Sequence, residues 1–231
     1  GEAQSQCARM PALRFAVPPV LDADLGDWQG FPAAPVVTRA QSNFDPDWSG
    51  PADCCARVRV GWDPNYLYVA VEVQDDDLES DRDPLTDDAV EIALSADTDH
   101  PQAAGGRLSV ALPVEVYDVR RRNLVTRATG RAVPVFGAEG LSDEKDGIHT
   151  VELRIAWSLV RRETPTVGAT VGFDVLVHDA DSRTGPDSVL RWAGPWRKGG
   201  EPLGVLELVR SQEEAPMSWS GLTASMVGTP G

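Results

Sequence analysis

Residues 56–96 read ARVRVGWDPNYLYVAVEVQDDDLESDRDPLTDDAVEIALSA, and this stretch decides the fold. Val58, Val60 and Trp62 alternate with Arg57, Arg59 and Gly61, a two-residue period that puts the apolar set on one face of a strand. Asp63-Pro64-Asn65 is a turn, because proline presets its own φ and asparagine tolerates a left-handed backbone. Leu67, Val69, Val71 and Val73 resume the alternation, so the segment is predicted to be a β-hairpin. Val90, Ile92 and Leu94 supply a third strand beyond the acidic loop QDDDLESDRDPLTDD. Three strands with one apolar face each need an opposing layer, which the rest of the chain must provide.

Upstream, residues 13–17 are predicted to be an edge strand stopped by Pro18-Pro19. Asp22, Asp24 and Asp27 crowd the following loop as turn caps or calcium ligands, and Trp28 is expected to plug the core beneath it. Residues 40–53 form a polar loop in which Phe44 is expected to cover the core, while Trp48 can serve core or ligand. Downstream, 107–113 alternates and 115–122 is its candidate hairpin partner; 123–147 reads as an excursion at one edge. Strands follow at 148–157, 170–177, 189–192 and 205–209, with one helical turn near 158–161 and a second acidic loop, HDADSRTGPDS. The expected architecture is all-β, a two-sheet antiparallel β-sandwich of jelly-roll-like type with ~10 strands. It occupies 13–210, between an N-terminal extension (1–12) and a Gly/Ser/Pro-rich C-terminal tail or linker (211–231).

The 231 residues carry 36 acidic and 21 basic side chains, a formal charge of -15. That balance disfavours nucleic acid and anionic membrane surfaces, whose phosphates call for Lys and Arg. No apolar run approaches the ~20 residues of a membrane span, so no membrane insertion is expected. Cys7, Cys54 and Cys55 have neither zinc-finger nor CxxC spacing. Cys7 can pair with Cys54 or Cys55, or all three can stay reduced, since adjacent cysteines do not close a relaxed bridge.

Several motifs then fall in order: VLDADLGDW, VGWDPNYLYVAVEVQDDDL, DDAVEIALSAD, HTVELRIAWS, GFDVLVHDAD, and a late RW before PLGVLEL. In this order, over roughly residues 13–209, the chain resembles the family-9 carbohydrate-binding modules and the wider DOMON-like β-sandwiches. The resemblance implies a jelly-roll-like sandwich with bound calcium, and a sugar held between two tryptophans by carboxylate, amide and arginine side chains. Carried onto this sequence, it makes Asp88 and Glu91 of DDAVE, the acidic pair Asp179 and Asp181, and Trp192 site residues. Where such modules place their first clamp tryptophan, this chain has Pro84-Leu85-Thr86, leaving Trp48 or Trp196 to replace that wall.

The candidate ligand-binding set is Asp88, Glu91, Arg107, His178, Arg191, Trp192 and Trp196, with Asp75, Asp77, Asp179 and Asp181 as calcium ligands. Carboxylates accept from sugar hydroxyls, Arg107 or Arg191 donates, and an indole stacks on the ring's C–H face. Against this, Trp192 can simply pack inward, Glu91 can face solvent, and His100 and His149 are expected at the surface. No GxSxG turn is present, and a pair of carboxylates among 36 acids proves no glycosidase, so a non-enzymatic role is expected. The sequence thus points to a carbohydrate-binding module of a secreted, periplasmic or surface-attached bacterial protein, monomeric, with a poly- or oligosaccharide as partner. The alternatives are a haem-binding redox module of the same fold and a structural or adhesion domain with a decayed sugar site.

Overall fold

The computed structural model describes residues 8–36, 38–39, 48–77, 88–96, 98, 107–113, 125–126, 133–134, 137–145, 147–161, 163–181, 188–194 and 203–211. The strands are β1 (Arg9–Arg14), β2 (Ala34–Val36), β3 (Thr38–Arg39), β4 (Cys54–Trp62), β5 (Tyr66–Asp75), β6 (Ala89–Ser95) and β7 (Arg107–Pro113). They continue with β8 (Val125–Thr126), β9 (Val133–Pro134), β10 (Ala138–Lys145), β11 (Ile148–Ala156), β12 (Thr170–Asp179), β13 (Ser188–Arg191) and β14 (Gly204–Val209). Two short 3-10 turns, Leu25–Trp28 and Trp157–Leu159, are the helical pieces among the described residues. None of these is long and apolar enough to cross a membrane.

The central hairpin forms as its sequence dictates. Asp63 takes the N–H groups of Asn65 (2.6 Å) and Tyr66 (2.8 Å) on Oδ1 and the Tyr68 hydroxyl on Oδ2 (2.8 Å). That side chain closes the turn, and β4 pairs antiparallel with β5 from Cys54↔Asp75 to Trp62↔Leu67. Val58, Val60, Trp62, Leu67, Val69, Val71, Val73, Val90, Ile92 and Leu94 all enter one core. Val151, Leu153 and Ile155 of β11 and Val171, Phe173, Val175 and Val177 of β12 meet them there. The alternation therefore predicted the inward face of five strands.

The sheet runs β10-β11-β5-β4-β1-β14-β12-β6-β7-β8-β9 without a break, with β2 added to β4 and β13 and β3 branching from β12. The all-β expectation holds. Hydrogen bonding, however, joins the strands into one curled sheet rather than two separate antiparallel ones. The link is β1, which pairs parallel with β14 (Arg9↔Val205 to Leu13↔Val209) and parallel with β4 (Leu13↔Gly61, Arg14↔Trp62). Its start at Arg9 and its central position replace the expected edge strand at 13–17. Pro11, which lacks a donor, lies where β1 pairs with β14 alone.

The strand β10 pairs with β11 along its whole length within the stretch read as an excursion. Its sequence AEGLSDEK buries little, as an edge strand does, so no apolar alternation announced it. The partner expected at 115–122 lies outside the described residues, as do Phe44, Cys7 and the tail from 212 onward.

On the other side of β4 and β5 a second, aromatic cluster forms from Phe15, Trp28, Tyr68 and Ala70, with Phe31 stacked on Phe15 at 4.3 Å. A Cβ at Gly61 would stand 2.3 Å from the Phe15 ring, so only glycine lets this cluster sit on the sheet. Trp28 is thus a plug, as expected, though of this outer cluster. Glu152 of β11 anchors the loop above it, accepting from Asp22 N (3.0 Å), Ala23 N (2.6 Å) and Trp28 Nε1 (2.7 Å). Ala23 is held at φ 61°, a left-handed backbone that costs a non-glycine residue ~1–2 kcal/mol. The loop's own acids cap its turns: Asp22 accepts from Asp24 N, Asp24 from Gly26 N and Asp27 from Val20 N.

Glu152 lies opposite the core face of β11, yet it is fully buried. Replacing it by alanine strands a buried indole N–H and two amides, each costing ~1–3 kcal/mol when unsatisfied. Glu152→Ala is expected to destabilise by roughly 2–4 kcal/mol in urea unfolding, with the loss of the Trp28 near-ultraviolet signal.

Candidate functional site

Strand β6 is buried on both faces. Val90, Ile92 and Leu94 enter the core, while Ala89, Glu91, Ala93 and Ser95 line the opposite face and are also shielded from water. Beside them β12 contributes Asp174, Leu176 and His178, and β13 contributes Val189 and Arg191. The register sets Glu91 across from Leu176, and Leu176 across from Arg191, so three strands place these groups on one patch.

Charges on a covered face need partners. His178 Nε2 lies 3.0 Å from Glu91 Oε2, with the imidazole donating when that nitrogen carries the proton. Arg191 Nε donates to Asp174 Oδ2 at 2.6 Å, its Nη2 reaches the same oxygen, and Ala193 N–H donates to Asp174 Oδ1 at 2.8 Å. Burial pushes the Asp174 carboxyl up, to about 6, against the pull of the Arg191 guanidinium and the Ala193 amide. Removing one member of such a buried pair typically costs ~3–5 kcal/mol. Asp174 was not among the site residues expected; its only signal was a carboxylate amid the valines of GFDVLV.

Asp88 heads the same region. Its Oδ1 accepts the N–H of Ala180 at 2.8 Å, which ties the start of β6 to the loop after β12. The DDAVE and HDAD motifs therefore do converge. Arg107 stands opposite Ser95 in the β6–β7 register, and its side chain lies outside what is described, as does Trp196. Trp192 joins the main core, 5.6 Å from the Phe173 ring, and lies over Gly204, where a Cβ would come within 2.2 Å of it. Trp48 donates from Nε1 to the Cys54 carbonyl (2.9 Å) and packs against the same core. His149 is buried rather than at the surface, because it falls on the inward face of β11 with Val151 and in register with Val73; burial lowers its pKa. His100 lies outside the described residues.

The acidic residues gather at the end of the sheet where β4 begins and β5 and β12 finish. Cys54, Asp75 and Asp179 bring their ligand atoms within 4.8 Å of one another, and so do Asp53, Asp76 and Asp181. Of the four expected metal ligands, Asp75 and Asp179 share the first group and Asp181 sits in the second. Asp77 is in neither, and its N–H donates to Asp75 Oδ1 at 3.0 Å. Sequence reading missed Asp53 and Cys54, which lie more than twenty residues from the other acids and meet them only through strand pairing. Among the described residues neither Cys54 nor Cys55 is in a disulfide. Burial pushes the Asp75 carboxyl up to about 7, opposed by the Asp77 amide and reinforced by Asp179, Asp181 and Asp76. Burial likewise lifts Asp179 to about 6, opposed by the Ser188 hydroxyl and reinforced by Asp181, Asp53 and Asp76.

Residues 26–209 match the family described as carbohydrate family 9 binding domain-like, and the chain belongs to that family. The endo-1,4-beta-xylanase A of Thermotoga maritima is 27% identical over 198 residues, covering 83% of this chain and 17% of the xylanase. The endo-1,4-beta-xylanase A of Thermoanaerobacterium saccharolyticum is 24% identical over 182 residues, 71% of this chain and 14% of the relative. The chain thus spans under a fifth of these enzymes' length. A family 9 carbohydrate binding module from Caldicellulosiruptor kristjanssonii, solved with cellotriose, superposes with a TM-score of 0.64 at 22% identity over 90% of this chain and 97% of that one. The same module with glucose gives 0.63, again at 22% identity, over 90% and 100%.

The two raised carboxyls set a pH dependence. Each holds its proton longer in the native than in the unfolded state, so the metal-free fold loses stability as pH rises from the usual carboxylate range, near 3.8, to about 7. In chelator the protein is expected to melt higher at pH 5 than at pH 8, and Asp75→Asn to flatten that slope. An unchanged slope in the variant would mean that Asp75 titrates normally.

Proposed function

We propose that this chain is a non-catalytic carbohydrate-binding module. The observation that carries the reading is the family match over residues 26–209 together with the buried row of Glu91, His178, Arg191 and Asp174 on the face of β6, β12 and β13 turned away from the core. Carboxylate and imidazole there suit the hydroxyls of a sugar, and Asp174 holds the Arg191 guanidinium in a fixed direction. Trp192 packs in the core, so Trp196 is our candidate for the stacking ring, with Arg107 as a further donor. We read the curled sheet as the two layers of a jelly-roll-like sandwich joined through β1. A monomer attached to a polysaccharide-degrading or surface protein of a bacterium, working in a secreted, periplasmic or cell-surface setting, fits this role. A haem module gains no support from Met10, which is buried in the core.

Calorimetry with glucose, cellotriose and xylo-oligosaccharides tests the reading. With one aromatic wall missing, dissociation constants on the order of 0.1–1 mM are expected. Glu91→Gln and Trp196→Ala should each weaken binding about tenfold, which is about 1.4 kcal/mol. Absence of binding to every mono- and oligosaccharide would favour a structural domain with a decayed site.

Calcium belongs to the same reading. Asp53, Asp76 and Asp181 offer only oxygen donors, the set a hard cation selects, and water can complete its six to eight contacts. A bound cation would offset the mutual repulsion of these acids and of Asp75 and Asp179 behind them. Calcium is expected to raise the melting temperature and chelator to lower it, because a ligand of the native state alone stabilises by mass action. An identical melting curve in both would remove calcium from the account.

A further inference from the structure

We propose that the inner group, Cys54, Asp75 and Asp179, is a separate site for a thiophilic divalent cation of the zinc type. Cys54 and Asp75 are cross-strand partners at the open end of the β4–β5 ladder, and Asp179 closes β12 beside them. Their sulfur and oxygen atoms all lie within 4.8 Å of one another. Zinc bonds of ~2.0–2.3 Å put neighbouring ligand atoms of a tetrahedral site ~3.3–3.8 Å apart, so modest side-chain rotations gather all three.

An independent observation points to a ligand there. Asp179 is 1% exposed; its Oδ2 accepts the Ser188 hydroxyl at 2.6 Å, while its Oδ1 is buried without a hydrogen-bond partner. An orphaned carboxylate oxygen in a dry setting is costly, and a cation would satisfy it. The Ser188 bond fixes the carboxylate's orientation, as hydrogen bonds behind a metal ligand commonly do.

The sulfur decides which cation. Thiolate is a soft donor that selects zinc and its heavier relatives, whereas calcium takes oxygens, which the neighbouring group Asp53, Asp76 and Asp181 supplies. Without a metal, burial and the flanking carboxylates Asp179, Asp75 and Asp88 keep the Cys54 thiol protonated, so it is no nucleophile. Metal binding breaks the S–H bond, forms the S–metal bond and sends one proton to solvent, with no change of oxidation state. One thiolate and two carboxylates leave a fourth position for water.

The inference does not depend on sugar binding. The test uses the whole protein, stripped with chelator, kept reduced with a phosphine and returned to saturating calcium. Titration with cadmium, and with zinc in competition, should show one equivalent bound that calcium does not displace. A sulfur-to-cadmium charge-transfer band should appear, with roughly one to two protons released per ion at neutral pH, the thiol proton and part of that on Asp75. Cys54→Ser should abolish the band, Cys55→Ser should keep it, and Asp179→Asn should weaken cadmium binding at least tenfold. Should Cys54→Ser fail to fold, the wild-type band together with the Cys55→Ser and Asp179→Asn results decides. Overturning results are no band in wild type, displacement of cadmium by equimolar calcium, or a band that disappears in Cys55→Ser. Calorimetry with glucose on the same samples reports the sugar reading separately.

Discussion

The molecule depends on one six-residue strand. β1 hydrogen-bonds in parallel to β14 on one side and to β4 on the other, and so welds the half of the sheet made of β4, β5, β11 and β10 to the half made of β14, β12, β6 and β7. Parallel pairing lets a single short segment serve both, since each neighbour approaches from a different end: Arg9–Leu13 meets β14, while Leu13 and Arg14 meet β4. Met10 and Ala12 drop into the core where the two halves face each other. Trp62 adds a second tie, donating from Nε1 to the Val209 carbonyl at 3.0 Å.

Curling a sheet over one core does not leave its other side bare. An aromatic cluster covers β4 and β5, and β6 and β12 are buried on both faces as well. Polar side chains caught beneath such covers have to be paired. Glu152 is satisfied by three N–H donors, Asp174 by Arg191 and Ala193, and Glu91 meets His178. The first anchors the loop over the aromatic cluster. The other two lie on the patch where DDAVE and HDAD meet, held in fixed orientations by their partners, which is what the proposed sugar site needs to bind at little entropic cost.

The acidic end follows a different rule. Strand termini bring Asp53, Cys54, Asp75, Asp76, Asp179 and Asp181 together, and their like charges accumulate faster than hydrogen bonds can neutralise them. Successive residues on a strand point to opposite sides, so Asp53 and Cys54, and Asp75 and Asp76, divide between two adjacent groups of different chemistry.

The sequence by itself determined the inward face of the core. A period of two in Val58–Val60–Trp62, Leu67–Val73, Val90–Leu94, Val151–Ile155 and Val171–Val177 is a local signal, written by the need to keep apolar groups from water. The Asp63 turn is equally local, because one aspartate supplies the acceptors for its own three followers. Ordered motifs also marked the family and the convergence of Asp88, Glu91 and His178. Only the tertiary structure decided what covers the outward faces. Glu152 and Asp174 occupy polar positions of the alternation, and their burial depends on segments distant in sequence. The same holds for β1, whose Pro11 and short apolar pattern say nothing of two parallel neighbours, and for Cys54, which meets Asp179 only across the folded sheet. Periodicity records which side of a strand is greasy; long-range pairing determines what the other side must hold.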